Sequence, residues 1–210
     1  MRKSKTHPDR TQKLLALCGV TGPILYTTVV IILGFLWPGY NHVSQLQSEL
    51  GAIGAPNAIV MNVFGFMLLG ILLIAFALGL YRNLNKEKGT MIGSALIVVT
   101  GVSLVAVAFF PCDPGCVNIS FTSMMHGVFA TSSAVSMVLA TIILAQQFND
   151  DNRWKNYWLY TLATGIMTSI FGLSLLFIVI EGWMGAIQRI SMGIPLFWME
   201  VISIRLLRLS

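Results

Sequence analysis

Six long apolar runs divide this 210-residue chain, and they leave few folds open to it. A helix needs roughly 20 mostly apolar residues to cross a hydrocarbon core of about 30 Å. The runs Leu14–Trp37, Asn57–Leu80, Gly89–Phe110, Thr122–Gln147, Tyr157–Ile180 and Gln188–Leu207 each meet that length. Charged residues make up only 10% of the chain, against about 25% in a soluble domain. So little polar side chain cannot cover a water-exposed surface. The expected fold is all-α: one polytopic bundle of six transmembrane helices over residues 1–210, with no space for a soluble domain.

Lys and Arg mark the cytoplasmic side of a membrane protein. Arg2, Lys3, Lys5, Arg10 and Lys13 precede the first run. Arg82, Lys86 and Lys88 follow the second, Arg153 and Lys155 follow the fourth, and Arg205 and Arg208 end the chain. Six crossings place these twelve of thirteen basic residues on one side, with only Arg189 opposite. The protein is therefore expected in the plasma membrane with both termini cytoplasmic, residues 1–13 forming a basic tail. The first run is longer than the 7–15 residues of a signal h-region, and Trp37-Pro38-Gly39-Tyr40 follows it in place of an Ala-x-Ala site. It reads as an uncleaved helix. The net charge of +5 then reflects orientation and contact with anionic lipid rather than nucleic-acid binding.

The connections on the basic side, 81–88 and 148–156, are short and polar. Residues 38–56 on the other side are unusual. Val43, Leu46, Leu50 and Ile53 recur at helical spacing, Ser44 and Gln47 fit a capping box, and Gly51, Gly54 and Pro56 end the run. This pattern predicts a short amphipathic helix in the first outer loop. Small and weakly polar residues form stripes on several helices: His126, Ala130, Ser133, Met137 and Ala140 on the fourth, and Thr161, Gly165, Thr168 and Gly172 on the fifth. Gly89, Gly93, Thr100 and Gly101 do the same on the third. Such stripes let helix backbones approach closely in lipid, so these faces should point inward.

Few residues offer chemistry. Cys112 and Cys116 flank a Pro/Gly turn on the oxidising side, where a disulfide would fix the loop and aim Asp113. Ser48, Glu49, Asp113 and His126 all fall near the outer rim. Two carboxylates and a histidine there could bind a polar ligand, relay a proton, or weakly suit a metal through Glu49, Asp113 and His126. Alternatively they tie loops and cap helix ends. Glu200 is the second candidate, since an intramembrane carboxylate costs about 2.5–3.5 kcal/mol. Arg189 shares its helix face but is about 16 Å away, too far to pair. With His7 in the tail, the remaining histidines do not suit bis-histidine haem ligation, and no nucleotide, P-loop or hydrolase motif is present. No cofactor is expected, and the partners are membrane lipids with a possible small polar ligand.

The motifs Gly22-Pro23, Pro38-Gly39-Tyr40, Ser48-Glu49-Leu50-Gly51, Gly54-Ala55-Pro56, Phe110-Pro111-Cys112-Asp113 and His126-Gly127 together resemble a bacterial and archaeal membrane family, domain of unknown function 998. The resemblance spans nearly the whole chain and implies a six-helix fold with no assigned activity. It also implies that Ser48, Glu49, Asp113 and His126, which fall on the motifs, matter more than Glu200, which does not. The stretch from Ser48 to Pro56 is similar to the Frag1/DRAM/Sfk1 group of six-helix proteins, which are linked with lipid and membrane trafficking. A Ser/Asp/His set near a membrane face also resembles the ceramidase-like hydrolases, but His42 and His126 cannot supply that family's three-histidine zinc site. The leading expectation is a non-enzymatic protein binding a lipid or small polar ligand at the outer rim. A proton-coupled transporter using Glu200 and His126, and a metal-dependent hydrolase, are the alternatives.

Overall fold

The computed structural model describes residues 10–177 and 180–210. Residues 1–9 of the expected basic tail, and 178–179 of the fifth apolar run, lie outside the described residues. Six helices are long and apolar enough to cross a membrane: α1 (Arg10–Leu36), α2 (Ala58–Asn83), α3 (Lys88–Phe109), α4 (Phe121–Asp150), α5 (Trp158–Phe177) and α6 (Met184–Leu209). No strand occurs among the described residues. This is the architecture of a multi-pass membrane protein.

Short connections force consecutive helices to run antiparallel and side by side. Each helix packs on its sequence neighbours, and α6 closes back onto α1. The result is a ring in chain order. One end of the ring carries the loops with most of the described basic residues; the other carries residues 38–56 and 111–120. We call these the basic end and the lid end.

Large side chains fill the ring in its basic half. Phe76 of α2 meets Trp198 of α6 edge-on at 6.0 Å, and both are wholly buried, as are Leu80, Leu144, Ile202 and Leu206. At the basic end Phe148 and Trp154 stack at 4.9 Å. Trp154 donates to Asn83 Oδ1, Arg153 pairs with Asp151 at 2.7 Å, and Arg205 donates to the Arg153 carbonyl. The Arg153 guanidinium holds the Asp151 carboxyl below the usual range. The basic half is therefore closed.

Close backbone approach sets the spacing of α2 and α3. A methyl group on Gly101 would stand 2.6 Å from the Gly70 carbonyl oxygen, and Gly70 meets the Gly101 carbonyl in return. Backbone cannot yield as a flexible side chain does, so Gly101→Ala must push the two helices apart. It is expected to destabilise the bundle by about 1–3 kcal/mol, the usual range for overpacking. Thermal unfolding in detergent checks this, and a variant as stable as wild type would show that the α2–α3 seam is not this tight.

A lid-covered cavity as the candidate functional site

The lid-end loop is not the amphipathic helix its periodicity suggests. Only a single 3-10 turn forms, at Gln47–Gly51. The cause lies in its polar side chains, which capture the backbone N–H groups that a helix would use. Asn41 Oδ1 accepts from Val43 and Ser44, Gln45 Oε1 from Asn41, and Glu49 Oε1 from Leu46 at 2.8 Å. The capping interaction thus runs from Glu49 to Leu46, not between Ser44 and Gln47. Leu50 is buried, whereas Val43 and Ile53 are 42% and 47% exposed, so the four apolar positions share no face.

Arg189, in the second turn of α6, holds this loop down. Its guanidinium donates to the carbonyls of His42, Gln45 and Gly185 at 2.6–2.9 Å, and to the Tyr40 hydroxyl at 2.6 Å. Tyr40 in turn donates to the Leu46 carbonyl. Burial pushes the Tyr40 phenol up against the opposing pull of Arg189, so it keeps its proton. Burial, aided by Arg189, pushes His42 down. Gln188 adds a second tie: its Oε1 accepts from Gln47 N at 2.7 Å, and its Nε2 donates to Ser48 Oγ at 2.9 Å. Asn62 donates to the Gly51 carbonyl from a π-helical stretch of α2, Met61–Met67, a backbone irregularity common near functional sites. Ile53 N donates to the Cys112 carbonyl at 2.8 Å, joining the two lid-end loops.

Beneath the lid, the ring is not filled. A cavity of about 500 Å³ runs from Ser48, Gln188 and His126 down to Leu73, Met137 and Met199. Its volume lies within the range of small-molecule sites. The two expected stripes border it with their lid-end halves only. His126, Ala130, Ser133 and Met137 of α4 and Thr168 and Gly172 of α5 line the cavity, while Ala140, Thr161 and Gly165 lie in the packed half. There a methyl on Gly165 would stand 2.7 Å from Thr141 Oγ1 of α4, whereas one on Gly172 would meet only Ser191 of α6, at 3.8 Å. Helices α4 and α5 therefore touch in the basic half and part toward the lid. Val135 and Leu139 of α4 and Leu173 of α5 line the cavity yet are about half exposed (52%, 45% and 53%). The parting thus opens the cavity sideways, toward where lipid lies.

The structure brings two of the four rim residues to this cavity. Ser48 and His126 line it, and both are buried. Nδ1 of His126 lies 2.9 Å from the Phe110 carbonyl, and its ring meets Phe66 edge-on. Glu49 instead caps its own turn and accepts from Gln45 Nε2. Asp113 organises the start of α4: its carboxylate accepts from Ile119 N, Ser120 N and Ser120 Oγ, and Ser120 Oγ accepts from Ser123 N. Those bonds hold the Asp113 carboxyl below the usual range. Among the described residues, no three His, Cys, Asp or Glu side chains gather closely enough to hold a metal. Glu200 lies in the basic half of α6, half-buried and outside the cavity wall. The Cα atoms of Cys112 and Cys116 are 4.9 Å apart, a spacing that a disulfide can span. Sequence reasoning missed Gln188 and the clamping role of Arg189; the one available signal was Arg189's isolation from all other basic residues.

Residues 20–205 match the family described as "Protein of unknown function (DUF998)", and the chain belongs to that family. No curated protein and no solved structure matches the chain.

Two variants probe the lid. Arg189→Ala removes the guanidinium from the part-buried carbonyls of His42 and Gln45 and should cost about 2 kcal/mol, with faster amide exchange over residues 40–48 by mass spectrometry. Unchanged exchange there would mean the clamp is dispensable. Asp113→Asn tests the α4 start. A carboxylate whose folded pKa is depressed lends full stability above the ordinary value of about 3.9, and that stability is lost as pH falls through the folded value. The variant should unfold at lower temperature near neutral pH, and the gap to wild type should close below about pH 4. A gap independent of pH would remove the charge from the explanation.

Proposed function

We propose that this protein binds a membrane lipid beneath its lid, as a binding protein rather than an enzyme. One observation carries the reading: a cavity with a polar roof and an apolar floor opens sideways between α4 and α5. A ligand that lives in the bilayer reaches such a cavity without crossing water. Its chain would lie along Leu69, Leu73, Leu104 and Leu196, and its polar head under Ser48 and beside His126. The site proposed from sequence thus keeps Ser48 and His126 as ligand-facing residues. Glu49 and Asp113 serve it indirectly, by holding the two loops that form the roof.

In this reading the basic end faces the cytoplasm, the protein sits in the plasma membrane, and the lid covers the outer leaflet. The asymmetry of Lys and Arg supports that orientation. Cys112 and Cys116 are then joined by a disulfide on the oxidising side, bracing the loop against which the lid rests. A binding role fits the chemistry better than catalysis, because both rim carboxylates are engaged within their own loops and His126 has no acid or base partner among the described residues.

The test is native mass spectrometry of protein extracted gently from its own membrane. Wild type should retain a lipid. Ala134→Trp places bulk at the exposed mouth of the cavity on α4, away from the packed half, so it should lower lipid occupancy several-fold while leaving the unfolding temperature unchanged. Equal lipid content in both proteins would overturn the proposal.

A further inference from the structure

Among the described residues, the cavity wall carries polar groups but no charge. Ser48, Gln188, Ser191, Thr168, Asn118 and His126 line it; no described Asp, Glu, Lys or Arg does. The nearest guanidinium, that of Arg189, is turned to backbone carbonyls and Tyr40. A phosphate or carboxylate head drawn into this space would leave water and find no countercharge, which disfavours it strongly.

Among these groups, His126 and Thr168 carry unmet valences. The Phe110 carbonyl can only accept, so His126 Nδ1 must carry the proton in that 2.9 Å contact. Nε2 of the neutral ring is then a lone-pair acceptor, and it has no bonded partner among the described residues. Thr168 presents the opposite case. Helical Ser and Thr hydroxyls commonly settle on the carbonyl four residues back. Thr164, Ser169 and Ser174 in the same helix do so, bonding Tyr160, Gly165 and Ile170 at 2.8–2.9 Å. Thr168 is 5% exposed, and its Oγ1 has no hydrogen-bond partner among the described residues. His126 thus presents an acceptor to a cavity whose wall is mostly apolar and, among the described residues, uncharged, and Thr168 in the same wall holds a buried donor with no partner.

We infer that the lipid held here is uncharged and bears a free hydroxyl, as an acylglycerol does. The hydroxyl donates to His126 Nε2, an ester or hydroxyl oxygen of the head accepts from Thr168, and the acyl chain occupies the floor. This deepens the lipid-binding reading and rests on it.

The experiment offers purified full-length protein in detergent a monoacylglycerol and a lysophosphatidylglycerol of the same chain, and reads retention by native mass spectrometry. The monoacylglycerol should be retained about tenfold better, since only the charged head lacks a partner. Thr168→Val keeps the side-chain shape and removes an unpartnered hydroxyl, so it should fold normally. It should reduce monoacylglycerol retention about fivefold, the effect of one uncharged hydrogen bond, and Thr168→Ser should restore it. Equal retention of the charged lipid, or no effect of Thr168→Val, would overturn the inference. If Ala134→Trp still blocked both lipids in that case, lipid binding itself would stand. Retention of neither lipid by wild type would overturn both.

Discussion

Where irregular chain meets the ends of membrane helices, backbone carbonyls lose their regular donors, and leaving them unmet is expensive away from water. In this bundle the carbonyls of His42 and Gln45 face that problem together, and a single guanidinium answers it. Arg is suited to the task because its fork of donors can serve several acceptors and never loses its charge. The roof of the cavity depends on this contact. Without it, residues 40–46 would be held over the ring by the Ala186 N–H on the Val43 carbonyl, the Tyr40 hydroxyl on the Leu46 carbonyl and a few local turns, with Gln188 tying down only the residues that follow.

The two halves of the ring show what small residues in a membrane helix can do. In the basic half, Gly93 and Gly165 admit a neighbouring side chain, and aromatic residues fill the axis. Toward the lid the same stripes continue, but α4 and α5 have parted, and among the described residues only Ser191 of α6 comes within 4 Å of where a methyl on Gly172 would stand. A stripe of this kind specifies closeness only where a partner helix follows its line; elsewhere it specifies a hollow. Pro195 stands at the change between the two regimes, lining the cavity with Leu196 and Met199 next to the wholly buried Trp198. By removing a donor it leaves the Ser191 carbonyl without its usual intrahelical bond, on the same stretch of α6 that carries Gln188 and Ser191.

Polar residues at the rim divide by reach. Glu49 and Asp113 each lie within a few residues of several free backbone N–H groups, and a carboxylate with such donors nearby takes them, as in helix capping. Ser48 and His126 have fewer local options: Ser48 is bonded from across the ring by Gln188, and His126 touches a carbonyl of the preceding loop through one nitrogen only. Both line the cavity, beside hydroxyls such as Ser133 and Ser169 that their own helix backbone has recruited. Thr164 and Thr168 differ although both have a carbonyl four residues back: Thr164 takes it, and Thr168 does not.

The sequence by itself determined the number of helices, their approximate ends, their antiparallel order and the one-sided distribution of basic charge. Each of these is fixed by hydropathy or loop length, properties read locally along the chain. Its motifs also pointed to residues 48–51, 110–113 and 126 as one region, which the folded chain gathers at one end. Helical spacing misled at 38–56, where Asn41, Gln45 and Glu49 could bond their own backbone and a periodicity of apolar residues takes no account of that competition. Only the tertiary structure decided that Arg189 is a clamp, that Glu49 and Asp113 turn into their loops while His126 borders a cavity, and that α4 and α5 diverge. Those outcomes depend on which donor or surface from a distant segment arrives within bonding distance. No local pattern in a single chain records that.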